Sequence, residues 1–338
     1  MIPNSAFVTV GETRATMDKV ARKTAPGAEF AVLRQGHFSK VVALVDGGRS
    51  PSARAAMERF AIAAYLATLR HENIYLGEEF PGIQYLAVHA ALRRRKRIAM
   101  LVHNTSSKRR SLPLVTLGLG RFVDHFLCLS EASRRELVAN YRVAEERVTV
   151  IGSRVDTDFF SPDTSVEPKR QVCAAGAVNR DYATLIEAVR PLGVTTKIAA
   201  DTAWKYSTAL TTMEGIPPFV EMRSWGTYVN LRRLYAESAV VVVPLERAML
   251  SGVTVALEAM AMGRPVILTH NRYVEDFLRD GENGFFVPGQ DPAALRETIQ
   301  YLLDHPDQAA AAGARAREWV LQRFTVARYV ERIMSVWR

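Results

Sequence analysis

The chain alternates short β-rich runs with longer helical runs, and this alternation limits its fold more than any other feature. In the first half, β-rich runs lie at about 28–33, 41–45, 73–77, 98–102, 123–129 and 148–151, and helical runs at about 52–69, 83–95 and 131–140. Such alternation is typical of parallel sheets that are covered by helices on both faces. The sequence therefore predicts an α/β protein.

A second alternating series follows a break at residues 152–170, which contain polar residues, a glycine and two prolines and are typical of a linker. β-rich runs then lie at about 172–178, 195–200, 240–245, 265–270 and 285–287, and helical runs separate most of them. Two helix starts are clear: Ser130 is a predicted N-cap, and so is Asp291, with Pro292 in the first helical position. A chain of 338 residues suits two such domains.

Composition argues against membrane-spanning and secreted classes. No apolar run approaches the ~18–20 residues that cross a bilayer. The N-terminal stretch has no basic start followed by an apolar block, so it predicts no secretory signal. The two cysteines, Cys128 and Cys173, lie far apart in apolar segments, and we expect them to be buried free thiols in a reducing compartment. These features predict a cytoplasmic protein.

The chain is basic, with a formal net charge of +9, and the excess is concentrated in the first half. Residues 93–97 read RRRKR, and Lys108, Arg109 and Arg110 form a second block. Three interpretations are open: a solvated helix end and loop, a surface that faces anionic lipid headgroups, or a nucleic-acid contact. No nucleic-acid-binding motif accompanies the charge, and we therefore predict no nucleic-acid partner.

The stretch from Ser251 to Pro265, SGVTVALEAMAMGRP, contains the residues that most clearly predict a ligand-binding site. Ser251 and Gly252 follow a predicted strand and precede a helix that is apolar all round and is therefore expected to be buried. Its free N–H groups at Gly252–Thr254 form a natural site for phosphate, at the carboxyl end of a strand where α/β sheets bind ligands. Glu258 is the only charge on the helix and needs a partner, either an arginine of the protein or the hydroxyls of a ligand. Together these features describe a nucleotide site.

The segment from Leu257 to Ile299 closely resembles the C-terminal domain of retaining glycosyltransferases of family 4, and the similarity extends back through AAGAVNRDYATLIEAV and, weakly, SRVDTDFFSP. Members of that family have the GT-B fold, in which two Rossmann-like domains face each other across a cleft. The resemblance implies an N-terminal acceptor-side domain at 1–160 and a nucleotide-sugar-binding domain at 161–324. It also implies that residues 325–338 cross back onto the first domain, although an ordinary helix of the second domain is an equal alternative.

The resemblance also implies roles for individual residues. Glu258 is similar to the second glutamate of the family's E-x7-E motif, which holds the ribose, and Arg180 stands where the family usually has a lysine beside the phosphates. His103 matches a histidine near the donor sugar, although a structural histidine or a surface Arg180 would be the ordinary interpretation of either residue alone. The implied site has a catalytic group, His103, Arg180 and Glu246, and a nucleotide-sugar-binding group: Gly176, Asn179, Arg180, Ser251, Gly252, Val253, Thr254 and Glu258.

The chain departs from the family pattern in two places. The first glutamate of E-x7-E should stand at position 250, which is Leu250, and Glu246 lies four residues earlier. The N-terminal glycine-rich loop is not evident, and Gly36 or Gly47-Gly48 are its only candidates. The sequence therefore predicts the nucleotide half of the donor site more firmly than the half that holds the sugar.

The implied activity is that of a retaining, hexosyltransferase-type enzyme. It would move a sugar from a UDP- or GDP-sugar to a hydroxyl acceptor such as a lipid-linked or cell-envelope glycan precursor. No cluster of His, Cys and Asp has metal-ligand spacing, so we expect neither a metal nor another cofactor. The basic first half suggests a peripheral position at the inner face of the membrane. The alternatives are a pseudoenzyme or partner subunit that binds a sugar nucleotide, and a sugar-nucleotide epimerase of the same fold.

Overall fold

The computed structural model describes strand backbones at residues 5–9 and 30–34, and then residues 61–77, 79–92, 95–103, 105, 114–200 and 215–338. Several features predicted from sequence lie outside these residues. They are the strand at 41–45, the first part of the helix at 52–69, the glycine-loop candidates Gly36 and Gly47-Gly48, and the basic residues Arg93, Arg94, Lys108, Arg109 and Arg110.

The chain divides into two compact units, Met1–Gly152 with Val326–Arg338, and Ser153–Thr325. Among its described residues, the first unit contains a parallel sheet of six strands in the order β2-β1-β3-β4-β5-β6. Its strands are β1 Ser5–Thr9, β2 Phe30–Arg34, β3 Asn73–Leu76, β4 Arg97–Leu101, β5 His125–Cys128 and β6 Val148–Val150. Its described helices are the helical stretch at 61–67, α1 Glu79–Leu92, α2 Glu131–Tyr141 and α8 Val326–Ser335.

Helix α8 belongs to this first unit. It buries one face, composed of Val326, Tyr329, Val330, Ile333 and Met334, and each such side chain contributes about 1.5–3 kcal/mol when it is withdrawn from water. The Tyr329 hydroxyl lies 3.0 Å from the Tyr75 hydroxyl of β3, and Arg332 donates to the Ile151 carbonyl over 3.0 Å. Apolar burial and these polar contacts together hold the C-terminal helix beside the sheet.

The second unit contains another parallel sheet of six described strands, in the order β12-β11-β10-β7-β8-β9. The strands are β7 Lys169–Ala175, β8 Thr195–Ala199, β9 Val220–Arg223, β10 Ser238–Val243, β11 Val266–Thr269 and β12 Phe285–Val287. The helices are α3 Tyr182–Val189, α4 Tyr228–Glu237, α5 Val253–Ala261, α6 Pro292–Asp304 and α7 Pro306–Arg323. The order reverses between β7 and β10, the position where doubly wound sheets open a crevice for ligands.

Both predicted helix starts are confirmed. The Ser130 hydroxyl accepts from the Ser133 backbone N–H over 3.2 Å at the start of α2. The Asp291 carboxylate accepts from the N–H groups of Ala293 and Ala294 at the start of α6. Cys128 and Cys173 are buried free thiols, as predicted. Along the described segments, no helix is both long enough and apolar enough to span a bilayer.

Other predicted boundaries were wrong. Strand β7 ends at Ala175, not at 178, because Gly176 turns the backbone with a φ of 102°. Helix α1 begins at Glu79 and ends at Leu92, earlier at both ends than the predicted 83–95. The division between units falls at Gly152, not at 160, because Val155 pairs with Thr325 of the second unit. Strands β1 and β9 were not predicted.

Candidate functional site

The carboxyl ends of β7 and β10 lie side by side, since these two strands pair in the centre of the second sheet. The loop after β7 carries Asn179 and Arg180, and the loop after β10 leads to Gly252 and helix α5. An isolated antiparallel bridge between Arg180 and Leu245 joins the two loops, and the Asp181 N–H donates to the Pro244 carbonyl over 3.1 Å. The fold thus brings together two predicted segments that are about 70 residues apart in sequence.

Arg180 spans the space between the loops. Its Nε donates to the Ala175 carbonyl over 2.8 Å, and its Nη1 donates to the Val178 carbonyl over 2.8 Å and to the Ser251 hydroxyl over 3.2 Å. These partners are neutral, and no ion pair of Arg180 occurs with the residues that the structure describes. Burial lowers the pKa of the guanidinium, which nevertheless stays protonated. The loops therefore hold a positive charge whose counter-charge must come from elsewhere.

Gly176 leaves the room that this guanidinium occupies. A Cβ at position 176 would lie 2.5 Å from Nη2 of Arg180, closer than non-bonded atoms approach. The neighbouring Tyr182 hydroxyl donates to the Gly176 carbonyl and fixes the turn. Gly176 was predicted to contact the nucleotide sugar; the contact that the structure describes is with Arg180.

The Asn179 side chain holds the loop that follows β10 through two hydrogen bonds to its backbone. Its Nδ2 donates to the Arg247 carbonyl over 3.0 Å, and its Oδ1 accepts from the Arg247 N–H over 3.0 Å. Asn179 has a φ of 56°, a left-handed conformation that asparagine tolerates better than most residues. A second tie comes from Thr269 at the end of β11, whose hydroxyl accepts from the Leu245 N–H over 2.9 Å. These bonds hold the loop before α5 in one conformation.

The N-terminus of α5 begins without a side-chain cap. Gly252 precedes it with a φ of 77°, and no side chain caps the first turn, which contains Val253 and Thr254. A Cβ at Gly252 would lie 2.5 Å from a methyl group of Val243, so the absence of a side chain lets the helix start against the end of β10. Ser251 and Arg180 stand beside this tip. A helix N-terminus next to a cation is a natural site for an anion such as phosphate.

Glu258 lies farther along α5 and is only 5% exposed. Its Oε2 accepts a hydrogen bond from the Tyr235 hydroxyl over 3.1 Å. The sequence predicted an arginine or the hydroxyls of a ligand as its partner; the structure adds a tyrosine hydroxyl, which the sequence did not suggest. Tyr235 was missed because it lies 23 residues away on α4, and no local pattern links it to the glutamate.

The remaining predicted residues lie elsewhere. Glu246 is exposed on the loop before α5, and Leu250 is half-buried. His103 lies in the first unit, just after β4, where its Nε2 is 3.2 Å from the Gly77 carbonyl at the end of β3. The roles of Glu246 and His103 stay predictions. No group of three or more His, Cys, Asp and Glu residues in the described parts of the chain is arranged to hold a metal ion.

Two family models match the chain, and each covers most of one unit. Residues 170–305 match the model described as glycosyl transferases group 1, and residues 24–159 match the model described as glycosyltransferase family 4. These stretches include the loops of the candidate site in the second unit and His103 in the first.

The curated proteins with similar sequences include several glycosyltransferases. D-inositol 3-phosphate glycosyltransferase 1 of Catenulispora acidiphila is 28% identical over 231 residues, which cover 60% of this chain and 54% of that protein. The putative glycosyltransferase EpsD of Bacillus subtilis is 38% identical over 81 residues, which cover 24% of this chain and 21% of that protein. The chain thus matches about half the length of the Catenulispora protein and about a fifth of the length of EpsD.

Solved structures match over nearly the whole length. Anabaena Alr3699/HepE in complex with UDP and glucose has a TM-score of 0.78 at 15% identity, and the match covers 98% of both chains. Sucrose-phosphate synthase from Thermosynechococcus elongatus has a TM-score of 0.73 at 16% identity and covers 100% of this chain and 98% of that one. At such low identity these likenesses show the fold alone, which is the GT-B fold.

Proposed function

Because the chain belongs to the glycosyl transferases of group 1 and family 4, we propose that it transfers a sugar from a nucleoside diphosphate sugar to a hydroxyl acceptor. The observation that carries this proposal is the position of Arg180. A guanidinium without a described carboxylate partner stands beside Ser251 and the uncapped N-terminus of α5. A diphosphate supplies the missing negative charge, and its oxygens accept hydrogen bonds from the guanidinium and the helix N–H groups.

The same groups suit the chemistry of transfer. When the bond from the anomeric carbon to the diphosphate oxygen breaks, negative charge grows on the leaving group. Fixed donors that point at that charge lower the barrier because they need little reorganisation during the reaction. Arg180 is held by hydrogen bonds to two backbone carbonyls, and Asn179 holds the facing loop. We propose retention at the anomeric carbon and no requirement for a metal, in line with the resemblance to family 4.

Glu258 is the proposed contact for the ribose. It lies on the same helix as the phosphate-binding tip, and a carboxylate accepts hydrogen bonds from vicinal hydroxyls. The Anabaena structure with this fold contains UDP and glucose, which supports a UDP-sugar as the first donor to test. GDP-sugars are the second choice.

The acceptor is proposed to reside at an anionic membrane surface. In the first unit, Ile62 and Leu66 lie one turn apart on the helical stretch at 61–67 and are 49% and 56% exposed, and Leu69 in the turn that follows is 40% exposed. Leu92 at the end of α1 is also exposed, and exposed Arg95 follows it. Exposed apolar side chains beside basic ones suit the interface of a bilayer that contains acidic lipid. We therefore propose a cytoplasmic enzyme at the inner face of the membrane that acts on a lipid-linked precursor.

Sedimentation with vesicles tests this location. The protein should sediment with vesicles of phosphatidylcholine and phosphatidylglycerol and stay in the supernatant with phosphatidylcholine alone. Replacement of Leu66 by Ser should weaken the sedimentation, whereas replacement of Leu321, which is also exposed but lies in the second unit, should not. Equal sedimentation with both kinds of vesicle, or none with either, would contradict the membrane proposal and leave the donor site untouched.

A second candidate function is a partner subunit that binds a sugar nucleotide without transferring it. Leu250 favours it, because a half-buried aliphatic side chain stands where the related enzymes have a glutamate. The epimerase alternative shares the fold and the diphosphate site. Product analysis with a UDP-sugar and a membrane lipid extract separates the three functions. Transfer releases UDP only when the extract is present, epimerisation changes the sugar without release of UDP, and a partner subunit leaves the donor intact.

Calorimetric titration with UDP and GDP tests the diphosphate site. Replacement of Arg180 by Met should weaken binding at least about tenfold, since hydrogen bonds to charged groups contribute about 1.5–3 kcal/mol each. Arg190 offers a matched control, because it is an exposed arginine of the same unit that donates to the Gly215 carbonyl. Arg190→Met should bind as the wild type does, and chelation of divalent ions should change neither protein. If Arg180→Met retains wild-type affinity, or if the wild type binds no nucleotide, the proposal is wrong.

A further inference from the structure

The Glu258 carboxylate is held in place from a different helix. Glu258 lies on α5 and Tyr235 on α4, and the Tyr235 hydroxyl donates to Glu258 Oε2 over 3.1 Å. Both side chains are buried; Tyr235 is fully inaccessible to solvent. A donor fixed on one oxygen limits rotation of the carboxylate about its last side-chain bond. Tyr235 therefore contributes to the direction in which the carboxylate accepts other hydrogen bonds.

The tyrosine is itself immobilised. The Phe160 ring, which is 2% exposed, packs against it with 6.2 Å between the ring centroids. The Tyr235 carbonyl accepts from the Ser238 N–H where α4 ends and β10 begins. Burial raises the pKa of the Tyr235 hydroxyl well above its ordinary value, and the Glu258 carboxylate raises it further. The hydroxyl thus keeps its proton and acts as a donor over the whole physiological range.

We infer that Tyr235 is a positioning residue that orients the Glu258 carboxylate toward the ribose hydroxyls of the nucleotide. The inference rests on the proposed function, since it assumes that Glu258 contacts the ribose. A carboxylate that can rotate meets two vicinal hydroxyls in productive geometry for only part of the time, so its contribution to binding falls. A purely structural role for Tyr235 makes a different prediction, because loss of packing would weaken all ligands of this unit alike.

The experiment compares UDP with 2′,3′-dideoxy-UDP, and GDP with its dideoxy analogue, by calorimetric titration. The wild type should prefer the ribose form, and Glu258→Gln should lose most of that preference. Tyr235→Phe removes only the hydroxyl. It should lower the affinity for UDP by about tenfold, the effect of one hydrogen bond to a charged group, while the affinity for dideoxy-UDP stays nearly constant. The ratio of the two affinities is the readout that altered packing alone would leave unchanged.

Tyr329→Phe is the matched control. Tyr329 is another fully buried tyrosine with a hydroxyl partner, but it lies on α8 in the first unit. Tyr329→Phe should keep the wild-type ratio of the affinities for UDP and dideoxy-UDP, even if the protein is somewhat less stable. Thermal unfolding with and without UDP identifies any variant that does not fold.

The outcomes separate this inference from the proposed function. If Glu258→Gln abolishes the ribose preference and Tyr235→Phe retains it, the positioning role is wrong and the nucleotide site stands. If the wild type binds UDP and dideoxy-UDP equally, the ribose role of Glu258 is wrong and the inference falls with it. A failure of Tyr235→Phe to fold shifts the test to 4-fluorophenylalanine at position 235, which keeps the ring and nearly the size of tyrosine but donates no hydrogen bond, and the ratio should fall. A folded fluorophenylalanine variant that keeps the wild-type ratio would contradict the positioning role.

Discussion

Replacement of Gly252 by Ala tests whether the start of α5 depends on the absence of a side chain. Gly252 combines two constraints. Its φ of 77° lies in the left-handed region, and a Cβ there would be 2.5 Å from Val243 Cγ1 and 3.1 Å from Leu245 Cδ2. Both contacts are with the core at the end of β10, where neighbouring atoms have little room to move. The substitution therefore strains the backbone and crowds the core at once.

The expected loss of stability combines the backbone strain and the crowding of the core, less an offset from the unfolded chain. A non-glycine residue in the left-handed conformation costs about 1–2 kcal/mol. An added methyl group that forces a packed core to shift costs about 1–3 kcal/mol. The smaller entropy of the unfolded alanine chain offsets about 0.4–1 kcal/mol. We expect Gly252→Ala to lower the free energy of unfolding of the second unit by about 1–5 kcal/mol, from the sum of these principles.

Gly281 supplies the control that separates the two terms. It lies in the same unit with a φ of 70°, and a Cβ there would meet nothing within 4 Å. Gly281→Ala should therefore show the backbone cost alone, about 1 kcal/mol. The difference between the two variants measures the clash of a Cβ at position 252 with β10.

Urea denaturation, followed by circular dichroism and tryptophan fluorescence, measures both free energies. If the proposed diphosphate site is right, titration with UDP should also show weaker binding to Gly252→Ala, because the displaced N-terminus of α5 would no longer aim its N–H groups at the diphosphate. Binding to Gly281→Ala should be unchanged. Equal destabilisation of the two variants would refute the clash. A Gly252→Ala protein as stable as the wild type would refute the whole account.

Two further predictions concern groups that are buried in the core. Burial raises the pKa of the Cys173 thiol to about 12, so Cys173 and the buried Cys128 should react with a thiol reagent at pH 8 only after unfolding, and rapid labelling of the native protein would contradict this. Burial lowers the pKa of His89 below its ordinary value of 6.5. The unfolded chain therefore binds a proton at this histidine more readily than the folded chain does. The free energy of unfolding should fall as the pH drops below about 6.5. In urea titrations at pH 5 and pH 8, His89→Gln should reduce this dependence, and an unchanged slope would show that other groups cause it.

The local features of the candidate site could be read from the residues themselves. The apolar helix between Gly252 and Gly263 is buried, as its composition predicted, and Ser130 and Asp291 cap their helices. These features depend on side chains within one or two turns of each other, so spacing along the chain predicts them. The sequence also identified Glu258 as a buried charge that needs a partner, and the resemblance to family 4 singled out Arg180.

Local patterns of this kind do not predict which strands pair when the strands are distant in sequence. Strand β9, Val220–Arg223, reads VEMR and is an edge strand, so it has no apolar run to mark it. Strand β1 is five residues long and owes its place to pairing with β2 and β3. Edge and short strands depend on the neighbours that supply their hydrogen bonds, and those neighbours are distant in sequence.

By itself, the sequence determined the class of the fold and singled out the residues of the proposed phosphate site, because periodicity and helix capping are local properties. Only the tertiary structure decided that β7 lies beside β10, which sets Arg180 against the tip of α5. It also decided that the Tyr235 hydroxyl, 23 residues away in sequence, donates a hydrogen bond to Glu258. Both results follow from the order of strands in the sheet and the packing of its helices. Apolar burial favours many such arrangements about equally, and the mutual fit of the whole chain selects one of them.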